Sequence, residues 1–251
     1  MQNTQSLTFK NGVKDGLPIG LGYLSVSFAF GIKASILGLP ALITLFMSMT
    51  NLTSAGQLAG VNIIAVFGSF IEIILTQLVI NSRYLIMSLS LSQKTDQTFT
   101  LRHRILTSAF ITDEIFAVAF SKPKKICAKY MYGLAFLPYF GWATGTITGA
   151  ILGDVLPSVI TTSLSIALYA MFIAIIVPPI TKSKGVLLCS IIAISISCTL
   201  YYVPIFNAIS GGFSAIISAV VSSIIVALIF PIKPDENDAE NSTDSVKENL
   251  L

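Results

Sequence analysis

The chain has 251 residues, of which 54% are hydrophobic and only 11% are charged, and its mean hydropathy is +0.82. Soluble domains carry about 25% charged residues, so this composition excludes an ordinary soluble protein and predicts an integral membrane protein. The net charge of +3 comes from basic residues beside apolar segments, which is typical of the cytoplasm-facing inner membrane and does not indicate a nucleic-acid partner.

The first predicted element is an apolar span at about residues 17–37, which follows a polar N-terminal lead over residues 1–16. We expect the lead to be amphipathic or disordered, and nothing in it resembles a cleaved signal peptide. A Gly-Leu-Pro turn at 38–40 separates this span from a second apolar region, because proline suits the first turn of a helix.

The second apolar region contains a polar interruption at residues 50–57, Thr-Asn-Leu-Thr-Ser-Ala-Gly-Gln. Polar groups at membrane depth must find partners within the protein or line a cavity. We therefore predict a discontinuous helix whose freed amides and carbonyls hold a solute. The alternative is a helix contact in which Gly56 and Gly60 form a GxxxG pair.

A third apolar segment runs from Gly68 to about residue 91 and carries Glu72 near its start. An ionisable residue in an apolar segment is a functional candidate, although Glu72 also suits an ion pair or a position at the membrane surface. Asn81 and Arg83, near the end of the segment, are the stronger candidates.

The linker 92–129 is basic and contains a short apolar stretch at 105–120, interrupted by Thr112, Asp113 and Glu114. A membrane helix needs about 20 apolar residues, and basic loops on both sides conflict with the positive-inside rule if the stretch crosses. It is either re-entrant or an exception to that rule. The two carboxylates either carry a coupling proton or form salt bridges with Arg83 or the basic loops.

The second half has four predicted spans, at about 130–152, 156–180, 186–203 and 205–232. Glycines recur every four residues in the first of them, a pattern that predicts close helix packing; they are Gly141, Gly145, Gly149 and Gly153. Residues 233–251 form an acidic tail that we expect to be disordered.

An internal repeat is indicated by residues 40–48 and 157–165, which share proline, isoleucine, threonine and serine at an offset of 117. We predict an all-α, polytopic membrane protein of about seven or eight transmembrane segments, in two related halves (17–91 and 130–232), with a broken helix near 50–57. Repeated transporter folds place the solute at the interface between the repeats. The counterpart of the break, 167–174, is apolar.

Several short motifs together resemble those of the AzlC family over about residues 9–232. They are Pro18-Ile19-x-x-Gly22 with Phe30-Gly31, Met47-Ser48 with Thr53-Ser54-Ala55-Gly56-Gln57, Asn81-x-Arg83-x-x-x-Met87-Ser88, Thr112-Asp113-Glu114-x-Phe116-Ala117, and Trp142-x-x-Gly145-Thr146. The commoner family pattern at the break reads roughly Ala-Gly-Ser-Ala-Gln, so the order of the small residues differs here.

The resemblance implies a bacterial exporter or permease for branched-chain amino acids that acts with a small membrane subunit of the AzlD type. The expected substrate-binding residues are Asn51, Thr53, Ser54, Gly56, Gln57, Asn81, Arg83 and Trp142. The candidates for proton coupling are Asp113, Glu114 and Glu72. We expect lipids as surroundings and neither a cofactor nor a metal.

A net-neutral amino acid suits the chemistry of the break. A broken helix offers free amides for a carboxylate and free carbonyls for an ammonium group, and Thr53, Ser54 and Gln57 add donors while Asn51 adds an acceptor. A carboxyl group in surroundings of low dielectric constant holds its proton more readily, which suits coupling to protons.

Two other classes of function are alternatives to a transporter. An intramembrane enzyme is disfavoured because the chain has no GxSxG motif and its single histidine, His103, lies in a basic loop. No GxxxxGK[ST] phosphate loop is present either. A passive channel or a structural membrane subunit remains the main alternative to a secondary transporter. Cys127, Cys189 and Cys198 are interpreted as small buried apolar residues.

Overall fold

The computed structural model describes residues 7–153, 176–206 and 208–231, together with 157, 159, 163, 166 and 173. In these residues the regular structure is helical. The helices are α1 (Phe9–Ile36), α2 (Ala41–Thr50), α3 (Ser54–Ala65), α4 (Phe70–Gln93), α5 (Leu101–Ser108), α6 (Asp113–Phe120), α7 (Ala128–Leu152), α8 (Lys184–Tyr202) and α9 (Gly211–Ile229).

Helices α1 and α7 form the centre of the structure and run parallel to each other in close backbone contact. Gly133 of α7 lies against Phe9 near the start of α1, and Gly149 lies against Phe28 further along. The four-residue glycine spacing therefore packs helices together, as predicted, because small residues let two backbones approach. Helix α1 also begins at Phe9, capped by Thr8, so residues 9–16 belong to the first helix rather than to a separate polar lead.

The two ends of this helix pair differ in charge. The basic face is the end at which α1 and α7 begin and α4 ends. Nine of the fifteen Lys and Arg residues lie there: Lys10, Lys14, Lys94, Arg102, Arg104, Lys122, Lys124, Lys125 and Lys129. The opposite face is the end at which α1 ends and α4 begins; of the described residues near it, only Lys33 and Glu72 are charged.

Helices α2 and α3 form a re-entrant hairpin that enters from the opposite face. Leu39, just before α2, and Val61 of α3 both pack near Phe30 and Ala34, towards the end of α1. Leu52, between the two helices, instead packs deep in the structure against Tyr23. The helix is therefore broken where the sequence predicted, but the segment turns back instead of crossing. Its helices have only 10 and 12 residues, about 15 and 18 Å at 1.5 Å per residue.

Helices α5 and α6 form a second re-entrant hairpin that enters from the basic face. The backbone of Ile126, just after α6, hydrogen-bonds to Lys94 and Asp96, which precede α5, and Lys94 also contacts the carbonyl of Phe120 at the end of α6. Both ends of the hairpin thus lie at one face. This resolves the open question about 105–120: the stretch is re-entrant, and its basic flanks agree with the positive-inside rule.

The first six helices repeat one arrangement in two opposite orientations. Helix α1 crosses from the basic face, and the α2–α3 hairpin then enters from the opposite face. Helix α4 crosses back, and the α5–α6 hairpin then enters from the basic face. Each unit is thus a long helix followed by a hairpin at the face where that helix ended.

The two C-terminal helices pack mainly against each other. Gly185, in the first turn of α8, lies near Phe230 at the end of α9, so the helices are antiparallel. Gly212, at the start of α9, contacts Glu72 at the opposite face, which places Lys182 and Lys184 at the basic face.

The described residues do not confirm the expected count of seven or eight membrane segments. Among the described residues, four helices are long and apolar enough to cross a membrane: α1, α4, α8 and α9. Several predictions fall mostly or wholly outside the described residues. They are those for most of the second copy of the repeat (157–165), most of the apolar counterpart of the break (167–174), most of the span at 156–180, and the acidic tail (233–251).

Candidate functional site

The tips of the two hairpins meet beside Tyr23, in the middle of α1. Leu52 of the first tip packs with Tyr23 and Trp142, whose rings meet edge to face with centroids 5.2 Å apart. The Tyr23 hydroxyl lies 2.6 Å from Thr112 Oγ1 and 2.5 Å from Glu114 Oε2, both at the second tip. One side chain of a crossing helix therefore contacts both re-entrant hairpins.

A cavity of about 320 Å³ lies between these tips. Three helices and both tips supply its lining: Pro18, Ile19, Gly22, Tyr23, Val26, Leu52, Ser54, Tyr84, Thr112, Asp113, Glu114 and Trp142. Its volume is at the lower end of the range of about 300–1,000 Å³ typical of small-molecule sites. Apolar walls with a few convergent polar groups are also typical of such sites.

Helix α3 points its amino-terminal end towards this cavity. Ser54, its first residue, lines the cavity, and Thr53, the capping residue, makes no side-chain hydrogen bond to the first turn. The Thr53 hydroxyl donates instead to Asn51 Oδ1 at 3.0 Å. The first amides of α3 thus have no side-chain cap, and a helix amino terminus favours anions.

Acidic side chains begin helix α6 on the other side of the cavity. Asp113 pairs with Arg83 of α4, with Nη1 and Oδ2 2.7 Å apart, so the salt bridge predicted as an alternative role is present. Glu114 accepts the hydrogen bond from Tyr23 and has no basic partner within ion-pair distance in the described part of the chain. The cavity wall therefore carries one carboxylate that no cation balances.

Gln57 lies outside the cavity, in a buried chain of hydrogen bonds. It is fully buried, donates to Ser48 Oγ at 2.8 Å and accepts from Trp142 Nε1 at 2.9 Å. Ser48 in turn lies 2.8 Å from Thr146 Oγ1. This chain joins α2, α3 and α7, so the geometry gives Gln57 the role of holding the first hairpin in place.

Asn51, Gly56 and Asn81 belong to a second polar cluster, arranged around Gln77 of α4. Gln77 donates to the carbonyl of Gly56 at 2.8 Å, while its own oxygen accepts from Asn81 at 3.0 Å and from Asn51 at 3.4 Å. This cluster fixes the back of the first tip to α4.

The predicted site residues therefore fall into four places. The cavity is lined by four of them, Ser54, Asp113, Glu114 and Trp142. Arg83 does not line the cavity but forms an ion pair with Asp113, which does. The other residues of the break support the tip from behind. Glu72 lies near the opposite face, where it contacts Ser210 and Gly212.

Sequence reasoning missed Tyr23 and Gln77, although both hold the tips. An aromatic residue in an apolar span gives no separate signal, because its ring suits the core whether or not its hydroxyl has a partner. Gln77 carried a usable signal, since an amide side chain inside an apolar segment needs partners within the protein.

Comparison with known proteins finds a family match and similar membrane proteins. The family model for AzlC protein matches residues 18–156, a stretch that includes every residue of the cavity wall. The inner membrane protein YgaZ of Escherichia coli is 32% identical over 146 residues, covering 57% of this chain and 60% of that protein. An uncharacterized membrane protein of Archaeoglobus fulgidus is 27% identical over 143 residues, covering 57% of this chain and 62% of that protein.

These matches span about three fifths of the length of each relative. No solved structure matches the chain. The relatives are membrane proteins by name, and among the described residues four helices are long and apolar enough to span a bilayer. The protein is thus a multi-pass protein of the cell membrane, and the family match covers more than half of its residues: the chain belongs to the AzlC family.

Proposed function

We propose that this protein is a secondary transporter that exports neutral amino acids, the branched-chain ones foremost, across the inner membrane. The observation that carries the proposal is the cavity between the two hairpin tips. It combines an uncapped helix amino terminus, an unbalanced carboxylate and an apolar wall. A zwitterionic amino acid with an apolar side chain needs these three elements together.

The arrangement assigns an orientation to the bound amino acid. Its carboxylate lies at the amino terminus of α3 near Ser54, where the amides and the helix dipole favour negative charge. Its ammonium group lies at Glu114. Its side chain lies against Ile19, Val26 and Leu52.

Selection for a net-neutral solute follows from the charges around the cavity. Arg83 and Asp113 cancel each other as an ion pair. The negative charge of Glu114 is then offset by the positive, amino-terminal end of the α3 dipole. A cationic or anionic amino acid would therefore bring one charge without a partner into surroundings of low dielectric constant. Such a charge is costly to bury.

Two hairpins that enter from opposite faces give a simple route for access from each side. Each tip forms one wall of the cavity, so a small outward movement of one hairpin opens the cavity to the face from which that hairpin enters. By the positive-inside rule the basic face is cytoplasmic, and the α5–α6 hairpin is then the cytoplasmic gate.

We also propose that a small AzlD-type subunit packs on the C-terminal helices. Helix α8 has no buried residue and α9 has only three, so both offer apolar surface. Co-expression of such a subunit with the full chain tests this: we expect co-purification that is lost when the chain ends before α8, while a truncated chain that still retains the subunit contradicts it.

Transport in reconstituted vesicles tests the proposed function. We expect leucine, isoleucine, valine and methionine to move through the wild-type protein and not lysine or glutamate, and we expect Glu114→Gln to reduce this flux. Ser163→Ala, which removes an exposed hydroxyl that donates to the carbonyl of Val159, is the matched control. If none of the four neutral amino acids moves even with the small subunit present, the proposal is wrong.

A further inference from the structure

Glu72 is a buried carboxylate away from the hairpin tips. It lies in the first turn of α4, and only 3% of its surface is exposed. Its Oε1 atom accepts hydrogen bonds from the Ser210 hydroxyl and from the Gly212 amide at 3.0 Å. Glu72 therefore joins α4, at the opposite face, to the amino terminus of α9.

No cation balances this carboxylate in the described structure. The described residues of α3, of the turn 66–69, of 203–210 and of α9 include no titratable side chain, and the other charged residue of α4, Arg83, is paired with Asp113. Hydrogen bonds from neutral donors reduce the cost of a buried charge but leave most of it in an apolar environment. A bound proton removes that charge.

A cavity next to Glu72 offers a path for the proton and a further polar group. It has a volume of about 370 Å³ and is lined by residues of α3, α4 and α9, including Asn62 and Thr76. Asn62 is exposed, so the cavity reaches the surface. Thr76 is only 1% exposed, and its hydroxyl has no hydrogen-bond partner among the described residues, although buried hydroxyls are almost always paired.

We propose that Glu72 is the site that binds and releases the coupling proton. This inference rests on the proposed transport function and selects one of the three carboxylates considered from the sequence. Asp113 is held by Arg83, and Glu114 faces the solute, whereas Glu72 has its own cavity and no charged neighbour. The free Oε2 atom takes a proton from a hydronium ion at the opposite face: the Oε2–H bond forms as an O–H bond of the hydronium ion breaks, which leaves a neutral carboxyl group and a water molecule.

Protonation also changes the contact between α4 and α9. The carboxylate is an anion at the amino terminus of α9, where the helix dipole and the Gly212 amide stabilise it. The neutral carboxyl group loses most of that attraction. Proton binding therefore loosens α9 from the base of the first hairpin, which couples the proton at the opposite face to movement of that hairpin.

Infrared spectroscopy tests the proton site independently of transport. The reconstituted full-length chain is taken through a pH jump, and difference spectra are recorded in the carboxyl region. We expect a carboxyl band in the wild-type protein that is missing in Glu72→Gln and present in Asp113→Asn. A spectrum of Glu72→Gln that matches the wild type would overturn the proposal.

Transport assays then separate coupling from solute binding. In Glu72→Gln we expect accumulation driven by a pH gradient to fall to the level seen without a gradient, while exchange of leucine for leucine continues. Glu72→Asp is expected to restore part of the gradient response. Ser90→Ala, on the same helix and with a hydroxyl that donates to the carbonyl of Ile86 in that helix, serves as the control.

Three other results are possible, and each contradicts a different claim: the place of the proton site, its role in coupling, or the transport function. Unchanged gradient-driven accumulation in Glu72→Gln shows that the coupling proton binds elsewhere. Loss of leucine exchange together with accumulation shows that Glu72 acts in folding or solute binding. If the wild-type protein moves no amino acid at all, the transport function fails, and the infrared experiment still decides whether Glu72 exchanges a proton.

Discussion

Substituting Gly149 by alanine tests whether the contact between α1 and α7 organises the structure. A Cβ atom at Gly149 would lie 2.8 Å from the carbonyl carbon of Phe28 and 3.0 Å from its Cα atom, and nearer still to its carbonyl oxygen. Ordinary contact begins at 3.4 Å, so the two helices must separate by about 0.6 Å or more. Since the obstacle is backbone, no side chain can rotate to make room.

The magnitude follows from two opposing effects. Overpacking of this kind costs about 1–3 kcal/mol, and the rigid backbone neighbour places Gly149→Ala at the upper end. Alanine gains about 1 kcal/mol over glycine in a helix. We therefore expect the free energy of unfolding to fall by about 2 kcal/mol, which corresponds to a Tm lower by about 4–8 °C for a chain of this size.

Thermal unfolding in detergent, followed by the fluorescence of Trp142 on the same helix, measures this change. Gly185→Ala is the matched control, because a Cβ atom there meets its nearest neighbours at 3.7 and 3.8 Å; we expect its Tm to be equal to that of the wild type or slightly higher. If the Tm of Gly149→Ala equals that of the wild type, or if Gly149→Ala and Gly185→Ala lower the Tm equally, the close approach of α1 and α7 is not what stabilises the fold.

Three further predictions concern the hairpins. In a chain whose native cysteines are replaced, Ser121→Cys and Val66→Cys should react with impermeant thiol reagents from opposite sides of the membrane, whereas a crossing segment at 105–120 would place them on the same side. Gln57→Leu removes two buried hydrogen bonds of about 0.6–1.7 kcal/mol each in membrane proteins; it should lower the free energy of unfolding in detergent by about 1–3 kcal/mol, and an unchanged stability contradicts its supporting role. Asp113→Asn leaves Arg83 without its partner, so glutamate should compete better against leucine transport than in the wild type, and unchanged competition refutes the charge balance proposed for the cavity.

Only part of the first hairpin was predictable from the sequence. Asn51, Thr53 and Ser54 interrupt an apolar run, and polar backbone at membrane depth has few allowed arrangements, so a break was predictable there. The direction of the chain after the break was not. It depends on Leu39 and Val61 packing at the same end of α1.

The second hairpin was ambiguous for a related reason. The basic residues on both sides of 105–120 favoured a re-entrant path, while its apolar composition also allowed a crossing. The contacts that decide the question join Ile126 to Lys94 and Asp96 through the backbone. Backbone hydrogen bonds leave no side-chain signature in the sequence, so this closure was not predictable.

The roles within the site depended on geometry that composition does not encode. Gln57 and Ser54 are polar residues three positions apart in one motif, yet Ser54 lines the cavity and Gln57 lies behind it with Ser48 and Trp142. The face of α3 that carries Gln57 meets Trp142 of α7 instead of the cavity. The partners of Glu72, Ser210 and Gly212, lie more than a hundred residues away in the chain and could not be paired with it from the sequence.

Binding of amino acids to the cavity tests the central claim most directly. Trp142 is the only tryptophan of the chain, it is 3% exposed, and it lines the cavity, so its fluorescence reports on the solute without any label. Titration of the purified full-length chain with leucine or valine should give a saturable change in emission, and lysine or glutamate at the same concentrations should give none. Emission that stays constant with every neutral amino acid, or that changes equally with the charged ones, would contradict a site for neutral amino acids between the hairpin tips.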